Sequence, residues 1–199
     1  MKTDLKNYIQ VFDNKFFSEK QCQLIIKSLD NSKNKTHVFY KAGTNEEITV
    51  GRDPQGSFLK DKKIKPISTF IKDQWHKIIT EYIINWLHKK EKMSWYTGWN
   101  GFTFPKFIRY KKGTAMKNHC DHIHQLFVTK DGKARGVPIL SIITALNDNY
   151  SGGELIMCED YKYKLKAGET IMFPSNFLYP HSIKKITKSI RYSMVSWVY

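Results

Sequence analysis

Residues 109–121 read Arg109-Tyr110-Lys111-Lys112-Gly113-Thr114-Ala115-Met116-Lys117-Asn118-His119-Cys120-Asp121. An aromatic and β-branched run, 102–110, meets the turn signal Lys112-Gly113, and a second run follows over 116–121. Two short runs around a tight turn predict paired strands. The same rhythm continues to the C-terminus. Further runs occupy 137–146, 154–158, 163–165, 170–173, 181–186 and 190–198. Turn signals separate them at Asp131-Gly132, Asn147 to Gly153, Ala167-Gly168 and Thr187 to Ser189. Strands that recur every ~8–12 residues predict an antiparallel sandwich or barrel.

Toward the N-terminus the period changes. Ser18 followed by Gln21 forms a capping-box signal, and Cys22, Ile25, Ile26 and Leu29 then recur at helical spacing. A helix is expected over 18–30. A short strand is expected at 8–12, and a polar, loop-rich stretch over 31–64 with one strand near 47–50. Pro66 suits a first helical position. Ile67, Phe70, Ile71, Trp75, Ile78, Ile79, Tyr82, Trp86 and Leu87 then keep a 3.6-residue period, so one or two helices should cover 66–91. Helices first and strands afterwards predict an α+β fold in which helices pack outside the strands. The 199 residues suit one domain, with helical support over 1–100 and a β core over 101–199.

The formal charge is +15, an electrostatic invitation to phosphate. Yet the only arginines are Arg52, Arg109, Arg135 and Arg191, and the lysines are scattered. Arginine is the residue of bidentate phosphate recognition, so a solvated lysine surface is the favoured reading and nucleic acid is not the expected partner. No stretch is apolar enough to span a membrane, and the first thirteen residues carry no signal-peptide core. Cys22, Cys120 and Cys158 are odd in number, widely spaced and contain no CxxC pair. Neither a zinc knuckle nor a disulfide scaffold is indicated. Cytoplasmic residence is expected.

The chemistry lies at the end of the opening stretch. Side chains on a strand repeat every second residue, so His119 and Asp121 share a face and Cys120 points away. An imidazole and a carboxylate side by side are two metal ligands. A second imidazole would complete a facial triad with open positions, the donor set of non-haem Fe(II). His181, which opens a strand after Pro180, is the best candidate. His37 falls in a loop, His76 and His88 on the long helix, and His122 away from the Asp121 face. His124 is a rival if the strand continues, and otherwise a neighbour of the site. Ten residues beyond His181 comes Arg191, which shares a strand face with Ser193, Val195 and Trp197. An inward arginine in an apolar barrel is costly unless it meets an anion. A dicarboxylate cosubstrate that grips the metal at one end would supply that anion at the other.

On these residues the sequence resembles the 2-oxoglutarate- and Fe(II)-dependent dioxygenases, in their prolyl 4-hydroxylase-like branch. His119-x-Asp121, His181 and Arg191 match that family's ligand triad and distal basic residue. Arg109-Tyr110 with Gly113 resembles its Arg-Tyr-x-x-Gly lead-in. Ala145-Leu146-Asn147 followed by Gly152-Gly153-Glu154-Leu155 resembles its Tyr-Leu-Asn…Gly-Gly-Glu-Leu stretch. Lys166-Ala167-Gly168-Glu169 to Phe173-Pro174-Ser175 and Arg191-Tyr192-Ser193 to Trp197 resemble its closing elements. Gly51-Arg52 with Gly56-Ser57-Phe58-Leu59 is similar to an upstream element, with Asp53-Pro54 replacing part of it.

The resemblance implies a double-stranded β-helix (jelly-roll, cupin-like) core with N-terminal supporting helices. It implies Fe(II) on His119, Asp121 and His181, and 2-oxoglutarate with its far carboxylate on Arg191. It further implies that Tyr110 and Ser193 contact the cosubstrate and that ascorbate keeps the iron reduced. Arg52 and His124 are the candidates for substrate contact. One departure stands out: the tyrosine that often precedes Leu-Asn is Ala145. The implied reaction converts a C–H bond, O2 and 2-oxoglutarate into a hydroxyl, succinate and CO2. A peptidyl residue such as proline is the leading substrate, and a small molecule or nucleic acid the alternative. The polar 40–63 segment is read as a lid, and 131–136 as part of the site's lining. Two other readings stay open: a non-catalytic basic binding module on the same fold, and a zinc hydrolase with the same ligands, which would leave Arg191 without a task.

Overall fold

The structure is a computed structural model; it describes residues 4–30, 35–36, 39–40, 47–48, 54–58, 65–96, 98–121, 127–128 and 134–199. Two antiparallel sheets form a double-stranded β-helix. The larger runs in the order Gln10–Phe12, Thr170–Pro174, Leu140–Ala145, Arg191–Val198, Lys106–Tyr110, Gln55–Phe58, Lys35–Thr36. The smaller runs Tyr161–Tyr163, Leu155–Met157, His181–Ile183, Met116–His119.

The central strands of the large sheet are buried on both faces, and alternation sorts their side chains. On Lys106–Tyr110, Phe107 joins the helix-side core while Ile108 and Tyr110 join the core between the sheets. Ile142 and Ile143 divide in the same way, as do Met172 and its neighbours Ile171 and Phe173. The helix-side core is completed by Cys22, Ile25 and Leu29 from Glu19–Leu29, and by Ile71, Trp75, Ile78 and Ile79 from Lys65–Glu81. Trp75 also donates its indole N–H to Thr144 Oγ1 at 2.9 Å. A buried indole that finds an acceptor adds orientation to area burial. It pins the long helix to the back of the sheet whose front carries the site.

The first helix forms as its signals predict. Ser18 is the N-cap, and the reciprocal Ser18–Gln21 capping box is present. The apolar run after Pro66 is helical too, but it changes character: Tyr82–Lys90 is π-helical, and Glu91 N–H reaches back to Trp86 O at 2.9 Å. The wider turns keep Tyr82, Ile83 and Leu87 buried. They also let the Tyr82 hydroxyl and Trp86 indole donate to the carbonyls of Tyr8 and Asn7, both at 2.7 Å. The N-terminal segment is thereby clamped against the helix.

Three expectations need correction. First, the supporting half contributes more strand than expected. The strand expected at 8–12 forms as Gln10–Phe12 on one side of the large sheet, and an unexpected one, Gln55–Phe58, pairs with Lys106–Tyr110 on the other. Gln55–Phe58 falls in the stretch read as loop, apart from a strand near 47–50. Glu47–Ile48 is a strand, but Gln-Gly-Ser-Phe has no apolar alternation and is held by ladder bonds to its neighbour. Gly56 suits that pairing, since a Cβ there would lie 3.1 Å from both Lys106 Cε and Phe107 O. Second, 181–186 is not one strand. His181–Ile183 and Ile186–Lys188 belong to different sheets, the latter pairing with Ser151–Gly152, and Ser189 (φ 64°) makes the turn before Arg191. Third, the 163–165 run is displaced: the strand is Tyr161–Tyr163, and Leu165 is a core residue beyond it. Arg52, His37, His122 and His124 lie outside the described residues, as does most of the 40–63 segment.

Gly168 sits in the Ala167-Gly168 turn with φ +86°. A Cβ there would fall 2.0 Å from Phe17 O and 2.8 Å from Asn14 Cβ. Gly168→Ala therefore combines a left-handed backbone with a clash against backbone that cannot swing away. A loss of about 3 kcal/mol is expected, read as a drop in the denaturant midpoint. A variant as stable as the parent would show that the turn and the N-terminal segment do not meet.

Candidate metal and cosubstrate site

Met116–His119 and His181–Ile183 are paired edge to edge, with His119 directly opposite His181. The rings lie 4.4 Å apart between centroids. The strand ends at His119, so Asp121 lies past it in irregular backbone. Its carboxylate nevertheless returns between the rings, with Oδ1 3.4 Å from His119 Nε2 and Oδ2 3.7 Å from His181 Nε2. One ligand atom from each residue lies within 4.8 Å of the others. Among the described residues this is the one such cluster of three.

The second nitrogen of each ring is fixed from behind. His119 Nδ1 donates to Lys117 O at 2.9 Å, and His181 Nδ1 donates to Tyr179 O at 3.1 Å. A carbonyl only accepts, so both rings carry the Nδ1 proton when neutral and turn the Nε2 lone pair inward. Asp121 is oriented as well: Ser141 donates to its Oδ2 at 2.7 Å, and the Ser141 and Ser175 hydroxyls are 2.6 Å apart. Burial works to raise the Asp121 pKa, but the two imidazoles and the Ser141 hydroxyl outweigh it and hold the carboxyl well below the usual range. Burial depresses the His181 pKa. At His119 burial is outweighed by Asp121, and the pKa rises. A fixed anion between two oriented nitrogen lone pairs is a donor set for a divalent cation, with the facing side left open.

Arg191 stands on the larger sheet, at the start of Arg191–Val198. It is buried (2% exposed), and its strand neighbour in register is Tyr110. Its guanidinium lies 4.7 Å from the Tyr110 ring centroid, and Nη1 donates to Ser193 Oγ at 3.2 Å. Its Nε has no hydrogen-bond partner among the described residues, and none of the ion pairs formed there includes it. Burial raises the Tyr110 pKa, and Arg191 pulls it back through its charge and a side-chain hydrogen bond. His181 packs on Phe173 and Arg191 on Tyr110, and both rings belong to the core between the sheets, so triad and guanidinium border one interior. A buried cation with an orphaned donor, opposite a metal donor set, fits a small oxo acid with a second carboxylate. Gly153 (φ +72°) allows that arrangement, because a Cβ there would lie 3.2 Å from Arg191 Cδ and 2.5 Å from Ile186 Cδ1.

The structure therefore brings His119, Asp121 and His181 together, and gathers Arg191, Ser193 and Tyr110 on the adjoining wall. Three further residues of this interior escape the sequence reading. Ser141 lies four residues before Ala145, and Lys106 four before Tyr110, each at an even interval. The strand period of two therefore puts Ser141 on the face of Ala145 and Lys106 on the face of Tyr110. Burial pushes the Lys106 pKa down to about 8, with Asp121 pulling it back up. Tyr150 carries no periodic signal, because it lies in the loop that follows Leu140–Ala145.

Ser141→Ala should weaken divalent-metal binding about tenfold, since residues that orient ligands typically govern that much affinity. The melting temperature should stay close to the parent's. A calorimetric metal titration reads it, and unchanged affinity would remove Ser141 from the orienting role.

Residues 105–199 match the family described as the 2OG-Fe(II) oxygenase superfamily. Among curated proteins, the chain is 30% identical over 98 residues to a PKHD-type hydroxylase of Delftia acidovorans, covering 48% of this chain and 42% of that one. It is 35% identical over 105 residues to a PKHD-type hydroxylase of Prochlorococcus marinus, covering 49% and 44%. The alignments thus span less than half the length of these relatives. Among solved structures, a viral collagen prolyl hydroxylase from Paramecium Bursaria Chlorella virus-1 aligns with a TM-score of 0.64 at 17% identity, over 96% of this chain and 94% of that one. A prolyl hydroxylase from Trichoplax adhaerens, in complex with a hypoxia inducible factor peptide fragment, aligns with a TM-score of 0.68 at 16% identity, over 97% and 84%. At such identities the structural likeness speaks for the fold: the double-stranded β-helix of prolyl hydroxylases.

Proposed function

We propose that this chain, whose 105–199 segment matches the 2OG-Fe(II) oxygenases and whose fold is that of prolyl hydroxylases, hydroxylates a C–H bond of a peptidyl residue, proline foremost. O2 and 2-oxoglutarate are consumed, and succinate and CO2 are released. The observation that carries this reading is one buried interior with two ends: the oriented His119–Asp121–His181 donor set, and the anion-seeking Arg191.

In this reading His119 Nε2, Asp121 and His181 Nε2 hold Fe(II), which supplies O2 activation and the decarboxylation of the 2-oxo acid. The chain's own residues bind and orient. Arg191 and Ser193 receive the far carboxylate of 2-oxoglutarate, and the Tyr110 phenol contributes a hydrogen bond beside them. Ser141 keeps Asp121 turned toward the metal. The apolar lining, with Ile108, Ile143 and Phe173, excludes water from the reacting centre. Ascorbate is the proposed reductant for idle turnover. The peptide preference draws support from the two prolyl hydroxylases that share the fold. Arg52 and His124 are proposed as substrate contacts. Three free thiols suit a reducing compartment, and the cytoplasm is the proposed place of action. Among the described residues no helix is long and apolar enough to cross a membrane.

The test combines the chain with Fe(II), 2-oxoglutarate, O2 and ascorbate, and follows succinate. A proline-containing peptide library is then screened by mass spectrometry for the gain of one oxygen. Slow succinate release without peptide and faster release with it are expected. If metal and cosubstrate bind but no succinate forms under any condition, the oxygenase reading is wrong. Succinate without any oxidised peptide would move the substrate to another class.

A further inference from the structure

The Tyr150 side chain is buried (5% exposed), and its hydroxyl has no hydrogen-bond partner among the described residues. A tyrosine that served only to pack would do as well as phenylalanine. A buried, unsatisfied hydroxyl is uncommon enough to need a reason. Its surroundings supply one. The Tyr150 ring edge and the Arg191 side chain converge on Gly153: a Cβ there would lie 2.9 Å from Tyr150 Cε2 and 3.2 Å from Arg191 Cδ. The same interior cluster holds Ile108, Tyr110, Ala145 and Ile186. Arg191 lies 4.7 Å from the Tyr110 ring centroid, and Tyr110 and Tyr150 belong to the same buried cluster, so the three polar groups share a neighbourhood. From the outer side, Lys164 Nζ lies 4.7 Å from the Tyr150 ring centroid and donates to the Tyr150 carbonyl at 2.7 Å, which fixes the ring's position.

The wall beside Arg191 has a gap that makes the phenol useful. Ala145 stands directly opposite Ser193 in the sheet, so the position next to the guanidinium offers a methyl group and no donor. Among the described residues, two side chains that converge on Gly153 each carry a buried donor without a partner, the Tyr150 hydroxyl and Arg191 Nε, and one of them belongs to a cation. Together they call for an anion with at least two acceptor atoms, which a carboxylate is.

We infer that Tyr150 is a binding residue for the far carboxylate of the 2-oxo acid, donating its hydroxyl beside Arg191 from the loop after Ala145. The inference rests on the oxygenase reading above.

The experiment uses the full chain loaded with Mn(II). Calorimetric titrations compare 2-oxoglutarate with 2-oxopentanoate, which keeps the oxo-acid head and replaces the far carboxylate with a methyl group. Tyr150→Phe should weaken 2-oxoglutarate about tenfold, as expected for loss of a hydrogen bond to a charged group. It should leave 2-oxopentanoate within about twofold. Thermal melting of the ligand-free variant should match the parent, because phenylalanine keeps the ring. If the parent chain itself fails to bind 2-oxoglutarate, the oxygenase reading falls. If the parent binds it and Tyr150→Phe binds it equally well, this assignment of Tyr150 is overturned and the oxygenase reading stands. Equal weakening of both acids also overturns it, because Tyr150 would then act on pocket shape and not on the carboxylate. Should Tyr150→Phe melt early, 3-fluorotyrosine at 150 serves instead. It retains the fold while changing the strength of the phenol donor, and an affinity change confined to 2-oxoglutarate is again required.

Discussion

His181→Ala is expected to abolish tight divalent-metal binding, lowering affinity by about a thousandfold, and to reduce succinate formation to background. The reason is geometric. His181 is one of three residues whose ligand atoms lie within 4.8 Å of one another, and its Nε2 is aimed inward by the Tyr179 carbonyl behind it. Groups that only orient a ligand commonly govern ten- to a hundredfold in affinity, and removal of a ligand should exceed that. Equilibrium dialysis with Fe(II) under anaerobic conditions reads the first effect. His181 is also buried and packs edge-on against Phe173, with ring centroids 5.0 Å apart, so alanine leaves a cavity. His181→Gln, which keeps more of the volume, separates loss of ligation from loss of packing. If either variant binds Fe(II) as the parent does while remaining folded, His181 is not a ligand.

Arg191→Met should produce two effects of opposite sign. On the proposed function, the affinity for 2-oxoglutarate falls about a hundredfold, because the charge-assisted contact proposed between Arg191 and the far carboxylate is lost. Metal affinity without cosubstrate stays within about twofold. The ligand-free protein, however, becomes more stable, by about 1–2 kcal/mol. Arg191 is only 2% exposed, its Nε is unsatisfied, and no carboxylate neutralises it among the described residues. An apolar side chain of similar length relieves the cost of burying an unpaired cation. Calorimetry and thermal melting on the same preparation read both effects. A variant that loses stability and keeps its 2-oxoglutarate affinity would mean that Arg191 is a structural cation whose partner lies elsewhere.

Much of the site is legible in the sequence because its physics is local. His119 and Asp121 are two residues apart, so strand geometry alone puts them within reach of one ion. The structure shows the strand ending at His119, yet Asp121 comes to the same place because the Ser141 hydroxyl and the two imidazoles draw its carboxylate in. Arg191 is legible because an inward-facing arginine in an apolar strand poses an electrostatic question that few answers fit. Ser18 and Gln21 are legible as a cap because both partners lie within one helical turn.

Other residues are silent in one dimension. Gln55–Phe58 has no strand pattern of its own, and becomes a strand because Lys106–Tyr110 offers it a row of unpaired backbone groups. Nothing around Tyr150 marks it as polar-functional. Its hydroxyl gains meaning only when Gly153, lacking a Cβ, lets Arg191 come alongside.

The sequence by itself determined the class of fold and put forward the three residues that the structure gathers as a candidate donor set, because hydrophobic period and ligand spacing are properties of neighbours along the chain. Only the tertiary structure decided which strands flank which, how His181 comes to face His119 across more than sixty residues, and which buried polar groups near Arg191 find no partner among the described residues. Those are outcomes of packing between distant segments, where one missing side chain, such as the Cβ that Gly153 lacks, sets what two others can reach.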